Sequence, residues 1–532
     1  MALRKRHKTE GLRKAFRPCE NVERPAMSKV ILKNVEFISD SLSGTGGLVL
    51  QDGIISAVST GRDASLSRIE GAEILDLEGA PILPGFIDTH THFLHTGLHM
   101  SMIELCNCSS LDELLGSLES LNGDESEWVR GFGFDESGFP DGRRPSRTDL
   151  DRAVPDRPAV IFRRDYHSCV LNSRAIATLP QSPFLSGKEV MDEGFFRGRA
   201  NDWVRQILFS GIDQGERMTA LKAAAAKAHS KGITTVHALE GGSLFCLDDL
   251  EFFINHGSSV PLNIVLYPQI TDVRWCLDRG IPRLGGCLLI DGSFGSRTAA
   301  LGSPYSDEPG NSGQLYFERQ YLRSLVLQAH RENLQLSFHA IGDRAVSMIL
   351  DAYEEALNEL PREDHRHRIE HCELPMQADL DRIGRLGVHV AAQPAFEYLW
   401  GGRQGMYGLR LGPDRAMRTN PLREMLDRDI TVGGGSDSDV TPMDPMLGIY
   451  SAMTHPNLSF RVSLREALDM FTAKAARFSF QEGEIGAIKA GMKADLAVLS
   501  RNPFESDIES IKDIEVEKTI KDGNIVFERK EY

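Results

Sequence analysis

Hydrophobic and polar positions change their rhythm twice along the 532-residue chain. Near the start, Ser28–Val35, Gly47–Leu50, Gly53–Val58 and Ala72–Leu77 are short runs of mixed apolar and polar residues separated by Gly or Asp. This is the signature of half-buried strands joined by tight turns. The same style returns at Asp495–Leu499, Val516–Ile520 and Asn524–Phe527, with Asp522-Gly523 as a hairpin signal. Two β-rich ends, 27–83 and 480–532, predict one composite β-sandwich domain.

Between them, apolar runs alternate with amphipathic stretches, the pattern of parallel strands joined by crossover helices. Strands are predicted at Gly85–His92, Thr234–Ala238, Leu262–Tyr267, Cys287–Asp291, Leu334–His339, Arg368–His371, Val388–Ala392 and Thr431–Gly435. Helices are predicted at Arg217–Lys231, Arg319–Glu332, Arg344–Glu359 and Ala378–Leu386. Eight such units predict an α/β fold, a (β/α)8 TIM barrel over 84–479. The gap after the first strand is far longer than an ordinary connection. Residues 98–215 are therefore expected to form an inserted lid or substrate wall over the barrel mouth.

Bulk properties narrow the function without naming it. The formal net charge is −16, which argues against nucleic-acid binding. No apolar run reaches the length of a membrane span. The eight cysteines are sparse and scattered, unlike a disulfide framework, so a cytoplasmic setting is expected. Residues 1–26 carry eight Lys or Arg and no apolar core. They are expected to be a disordered tail, outside the fold.

The candidate chemistry gathers at strand ends. His90 and His92 close the first strand, two apart and so on one face. His339 closes the fifth, His371 the sixth, and Asp437 follows the Gly-rich eighth. Singly, each has an ordinary reading: a hydrogen-bonded core histidine, or an Asp capping a helix. Together, four imidazoles and a carboxylate at the C-terminal ends of barrel strands make a ligand set for a divalent metal, zinc by donor type, one or two ions per chain. Such an ion lowers the pKa of bound water toward roughly 7. Asp437 is then the candidate general base. Arg297 and His167 are candidate substrate-binding residues, with loop bracing as the alternative. Trp128, Phe132, Phe134 and Trp203 are either pocket lining or the insertion's own core.

The stretches LPGFIDTHTH, RRDYHSCVLNS, GITTVHALEGG, LIDGSFGSRTAAL, HAIGDRAV, HRIEHCEL, QPAF, GGGSDSDVTPMDP, TAKAARF and GEIGAIKAGMKADLAVL run in order from about residue 83 to 499. With them the chain resembles the amidohydrolase superfamily, and within it amidohydrolase family 3, a branch that includes N-substituted formamide deformylase and proteins labelled exoenzyme regulatory protein. The resemblance implies that His90 and His92 are strand-one ligands, His339 and His371 the ligands of strands five and six, and Asp437 the catalytic aspartate. It also implies a homodimer acting on a small molecule. Relatives often carry a metal-bridging carboxylated lysine on strand four, where this chain has Cys287. Two readings of Cys287 stand: a thiolate ligand or bridge, or a small side chain packed in the barrel. Glu240 and Asp291 are further contributors, although Asp291 has the alternative of tying down its turn.

The expected function is hydrolysis of a C–N bond, in an amide or cyclic amide, by metal-activated water. A mononuclear deaminase of an aminated heterocycle is the first alternative. Barrel deaminases often carry a Glu three residues after the strand-five His, where this chain has Gly342 followed by Asp343. A non-catalytic regulatory protein on the same fold is the second.

Overall fold

In the computed structural model, residues 29–38, 43–61, 71–119, 128–242 and 246–530 are described. The expected tail at 1–26 lies outside them. The middle of the chain supplies eight strands: β1 (Phe86–Thr91), β2 (Ile233–Glu240), β3 (Asn263–Pro268), β4 (Arg283–Leu284), β5 (Gln335–Ala340), β6 (Arg368–His371), β7 (His389–Ala392) and β8 (Val432–Gly434). Their pairings are all parallel. Parallel strands covered on both faces tolerate near-continuous burial, and every residue of β1, β2, β5, β6, β7 and β8 is buried.

The strands form two arcs, β3-β2-β1 and β4-β5-β6-β7-β8, where one continuous ladder was expected. The arcs meet at two seams. Gly285 N donates to Pro268 O at 3.0 Å, and Asp437 N donates to His90 O at 2.8 Å. A parallel bridge joins Thr91 to Ser438. The arrangement is of TIM-barrel type, with the C-terminal strand ends gathered at one end.

The fourth strand departs most from expectation. Regular pairing covers Arg283–Leu284 rather than Cys287–Asp291. Gly285 and Gly286 follow at φ 106° and 54°. A Cβ on Gly285 would sit 2.1 Å from Ser337 O, so the strand can hug β5 there only without a side chain. Contact with β5 resumes beyond the break, where His339 N donates to Leu288 O at 3.1 Å and Ile290 N to His339 O at 3.0 Å. Cys287 therefore stands in a kink instead of a regular strand.

The crossover helices follow the amphipathic pattern. Gln214–Ser230 starts at a capping box between Asp213 and Glu216. Gln377–Leu386 stops at Gly387, which adopts φ 71°.

The two ends of the chain share an eight-stranded sheet. Pro81–Pro84, a strand with no alternation to reveal it, links the halves: it pairs with Lys29–Ile38 and with Leu496–Leu499. Residues 98–215 hold a five-stranded sheet of their own, in the order Phe195–Arg197, Ser168–Leu171, Ala159–Arg163, Val129–Phe134, Ile103–Glu104. Its separate apolar cluster includes Phe134. Phe132 stacks on Tyr166, and Trp128 and Trp203 are half-buried against the main core. None of these four lines the cavity described below.

Candidate metal centre

His90, His92, His339, His371, Cys287 and Asp437 converge where the strands end. Three triads have ligand atoms within 4.8 Å of one another: His90, His92 and Cys287; Cys287, His339 and His371; His90, His371 and Asp437. All are buried. His371 and Asp437 reach this position from left-handed backbone, φ 71° and 52°, a conformation concentrated at functional sites because it costs free energy elsewhere.

The outer hydrogen bonds fix which nitrogen of each ring faces inward. His90 Nδ1 lies 2.6 Å from Glu370 Oε2. A carboxylate accepts, so Nδ1 carries the proton and the Nε2 lone pair is left 3.1 Å from Asp437 Oδ1. His92 Nδ1 donates to Leu239 O at 3.0 Å, leaving Nε2 3.2 Å from the same Asp437 oxygen. His371 Nδ1 donates to Gln393 Oε1 at 2.7 Å, and its Nε2 is 3.8 Å from Cys287 Sγ. His339 Nε2 donates to Gly292 O at 3.2 Å, and its Nδ1 is 3.7 Å from the same sulfur. Four lone pairs, a carboxylate oxygen and a sulfur thus point at one another. His90 Nε2 and Asp437 Oδ1 have no hydrogen-bond partner. A divalent cation between them would satisfy all of these acceptors at once.

The electrostatics agree. Burial opposes charge on His92, yet Asp437 and Cys287 outweigh it and raise its pKa to about 10. Burial pushes the Cys287 thiol up, but the surrounding imidazoles, His90 foremost, hold it well below the usual thiol range. Imidazole, thiolate and carboxylate together suit a divalent metal.

Glu370 is the site residue that the pattern of strand ends missed. It orients His90 and is itself fixed by Arg368, whose Nε and Nη2 donate to its oxygens at 2.5 and 2.8 Å. Arg368 also donates to Thr89 O at 2.6 Å and stands 2.9 Å from His237 Nδ1. Arg368 and Glu370 are completely buried. A buried ion pair seldom repays its desolvation in stability; here it holds a ring that faces the metal position, as outer-shell carboxylates do. Two charges at alternate positions of a core strand, Arg368 and Glu370, were the available signal.

The remaining candidates divide. His167 reaches the cavity from the loop between Ala159–Arg163 and Ser168–Leu171, its ring 5.6 Å from that of His339. That loop is pinned across to the segment after β4: Asp165 accepts from Ser293 Oγ at 2.7 Å and Ser296 Oγ at 3.0 Å. Arg297 does not line the cavity. Its Nε and Nη2 are held by Asp307 at 3.1 and 2.9 Å, so the expected substrate clamp is a loop brace. Asp291 accepts from the backbone N–H groups of Ala300, Ile341 and Gly342 at 2.8–3.0 Å and ties its turn. Glu240 Oε1 accepts from Leu94 N at 2.9 Å, at the start of helix Phe93–His99.

The family model described as the amidohydrolase family matches residues 73–527. YtcJ of Bacillus subtilis is 27% identical, over 91% of this chain and 96% of its own. The N-substituted formamide deformylase of Arthrobacter pascens is 25% identical, over 94% of this chain and 98% of its own. Among solved structures, an uncharacterised metal-dependent hydrolase of Pyrococcus furiosus superposes with a TM-score of 0.71 at 28% identity, covering 90% of this chain and 100% of that one. No helix among the described residues is long and apolar enough to cross a membrane. With this match across most of its length, the chain belongs to the amidohydrolase family and is a hydrolase.

Proposed function

We propose that the protein hydrolyses a C–N bond, in an amide or cyclic amide, with metal-activated water and Asp437 as general base. One observation carries this reading: four histidines whose outer nitrogens are spoken for turn their lone pairs onto Cys287 and Asp437. His90, His92 and Cys287 would hold one divalent ion, and Cys287, His339 and His371 a second. Cys287 takes the place of the bridging lysine of relatives, and the donor set suits zinc. When bound, the metal supplies a lowered pKa for the attacking water and polarisation of the carbonyl. Asp437 lines the cavity, so its carboxylate accepts the proton of that water and delivers it to the departing nitrogen. His167, facing His339, offers the substrate a hydrogen bond.

The deaminase alternative loses ground at Gly342. A Cβ there would lie 2.2 Å from Ala300 O, so the acid that barrel deaminases often carry three residues after the strand-five histidine has no room. Neighbouring Asp343 accepts from Gly302 N at 2.8 Å instead.

Elemental analysis of protein purified without added metal tests the site. We expect about two ions per chain in the wild type and about one in Cys287→Ala, with hydrolysis of a panel of amides following ion content. One ion in both proteins would make Cys287 a packing residue. A protein that holds no transition metal and cleaves no amide after metal addition would end the reading.

A further inference from the structure

The centre defines the bond that is cut. The rest of the cavity defines what that bond is attached to. Beyond His371 the cavity is walled by Phe294, Phe396, Trp400, Met406, Tyr407 and Val440, all members of one buried apolar cluster. The wall begins at the metal position itself, because the Phe396 ring lies parallel to that of His371 at 6.0 Å and 15°. Trp400 continues it, 5.1 Å from Phe396. Tyr407 meets Phe294 edge-on at 5.2 Å.

The polar tips of this wall are already engaged. Trp400 Nε1 donates to Asp135 Oδ2 at 3.1 Å. Tyr407 Oη donates to Glu373 Oε2 at 2.5 Å. Both residues therefore present ring surface to a ligand. Arg163 and Arg205 also line the cavity. Arg163 is paired with Asp135, Glu136 and Asp165 at 2.8–2.9 Å. Arg205 donates to Tyr166 O at 3.4 Å and lies 4.3 Å over the Tyr166 ring.

An aromatic or bulky apolar group would meet ring faces at van der Waals distance. We infer that the substrate is an amide bearing an aromatic or bulky apolar group seated against Phe396, Trp400 and Tyr407, and that amides lacking such a group are poor substrates. The inference rests on the C–N hydrolase reading above.

Matched amides test it on the zinc-loaded enzyme. Phenylacetamide and N-benzylacetamide, with the aryl group on either side of the scissile bond, are compared with acetamide and N-methylacetamide. Binding is measured by calorimetry on Asp437→Asn protein and kcat/KM on the wild type. We expect at least one aryl amide to exceed its aryl-free partner by about tenfold or more in both. Trp400→Ala should erase about tenfold of the aryl amide's advantage over acetamide with metal content unchanged. Acetamide and N-methylacetamide turned over as well as the aryl amides would overturn the inference and leave the reaction standing. Hydrolysis of none of the panel would remove the reaction, and the inference with it.

Discussion

The run Asp364-His-Arg-His-Arg-Ile-Glu-His371 places two kinds of histidine a few residues apart. His365 and His367 precede β6, at the end of the strands remote from the cavity, and His371 closes it. At the remote end both nitrogens of each ring are satisfied by the protein. His367 Nδ1 accepts from Leu336 N at 3.0 Å and its Nε2 meets His330 Nδ1 at 2.9 Å. His330 Nε2 donates to Leu360 O at 2.8 Å. His365 Nε2 donates to Leu386 O at 2.8 Å and its Nδ1 accepts from His367 N at 2.9 Å. These rings are neutral struts, and burial pushes the pKa of His365 down to about 4. At the cavity end, one nitrogen is anchored from outside and the other is left facing Cys287 or Asp437. The role of a buried histidine is decided by where its second nitrogen goes.

Substitutions at the two ends should therefore fail in different ways. Asp437→Asn should lower kcat/KM by about three orders of magnitude while the melting temperature of the metal-loaded protein holds; retained turnover would remove Asp437 from the proton path. His367→Ala should do the reverse. It leaves a cavity and strands Leu336 N–H and His330 Nδ1, at a cost of about 3 kcal/mol in chemical denaturation, with metal content unchanged. Loss of metal in that variant would erase the distinction between the ends. Gln393→Leu removes only the outer anchor of His371 and should weaken metal affinity by about 10–100-fold in a chelator competition.

The smallest effect is one of pH. The unfolded chain protonates His365 near its ordinary 6.5, the folded protein only near about 4. Its contribution to stability is complete above 6.5 and is lost as pH falls from there toward 4. Between about pH 7 and about pH 5.5, His365→Gln should flatten the pH dependence of unfolding by about 1 kcal/mol. An unchanged slope would mean that the ring already carries a proton when folded.

The sequence made the strand ends legible because parallel core strands are short apolar runs and the histidines fall at or near their ends. His90, His339 and His371 all fall within or at the end of the strands expected for them. Cys287 was harder to place: the Gly285-Gly286 kink that carries it between the two histidine pairs depends on the closeness of β5, which no local pattern encodes. Arg297 looked like a substrate clamp because a cation near a barrel mouth has that use. Its partner Asp307 lies on the same excursion after β4, and pairing within a loop has no periodicity. The anchors of His92 and His339, the carbonyls of Leu239 and Gly292, are backbone atoms and leave no residue-type signal at all. The aromatic wall escaped notice for a different reason. Phe396, Trp400 and Tyr407 belong to helices Ala395–Trp400 and Met406–Leu411, too short to show a helical period.

The strand Pro81–Pro84 has a consequence for how the molecule is made. One of its edges is taken by Lys29–Ile38, the other by Leu496–Leu499. Leu32, Leu48 and Ile82 share their apolar cluster with Leu496, Val498 and Ile520. A ribosome adding about 5–20 residues per second presents the first half of that cluster roughly 20 to 80 seconds before the second half exists. Through that interval the nascent chain carries an unpaired strand edge and a bare apolar face, an obvious substrate for a holding chaperone. A message broken before the codon for Leu496 yields a product with that edge permanently open, one that quality-control proteases can recognise without inspecting the active site.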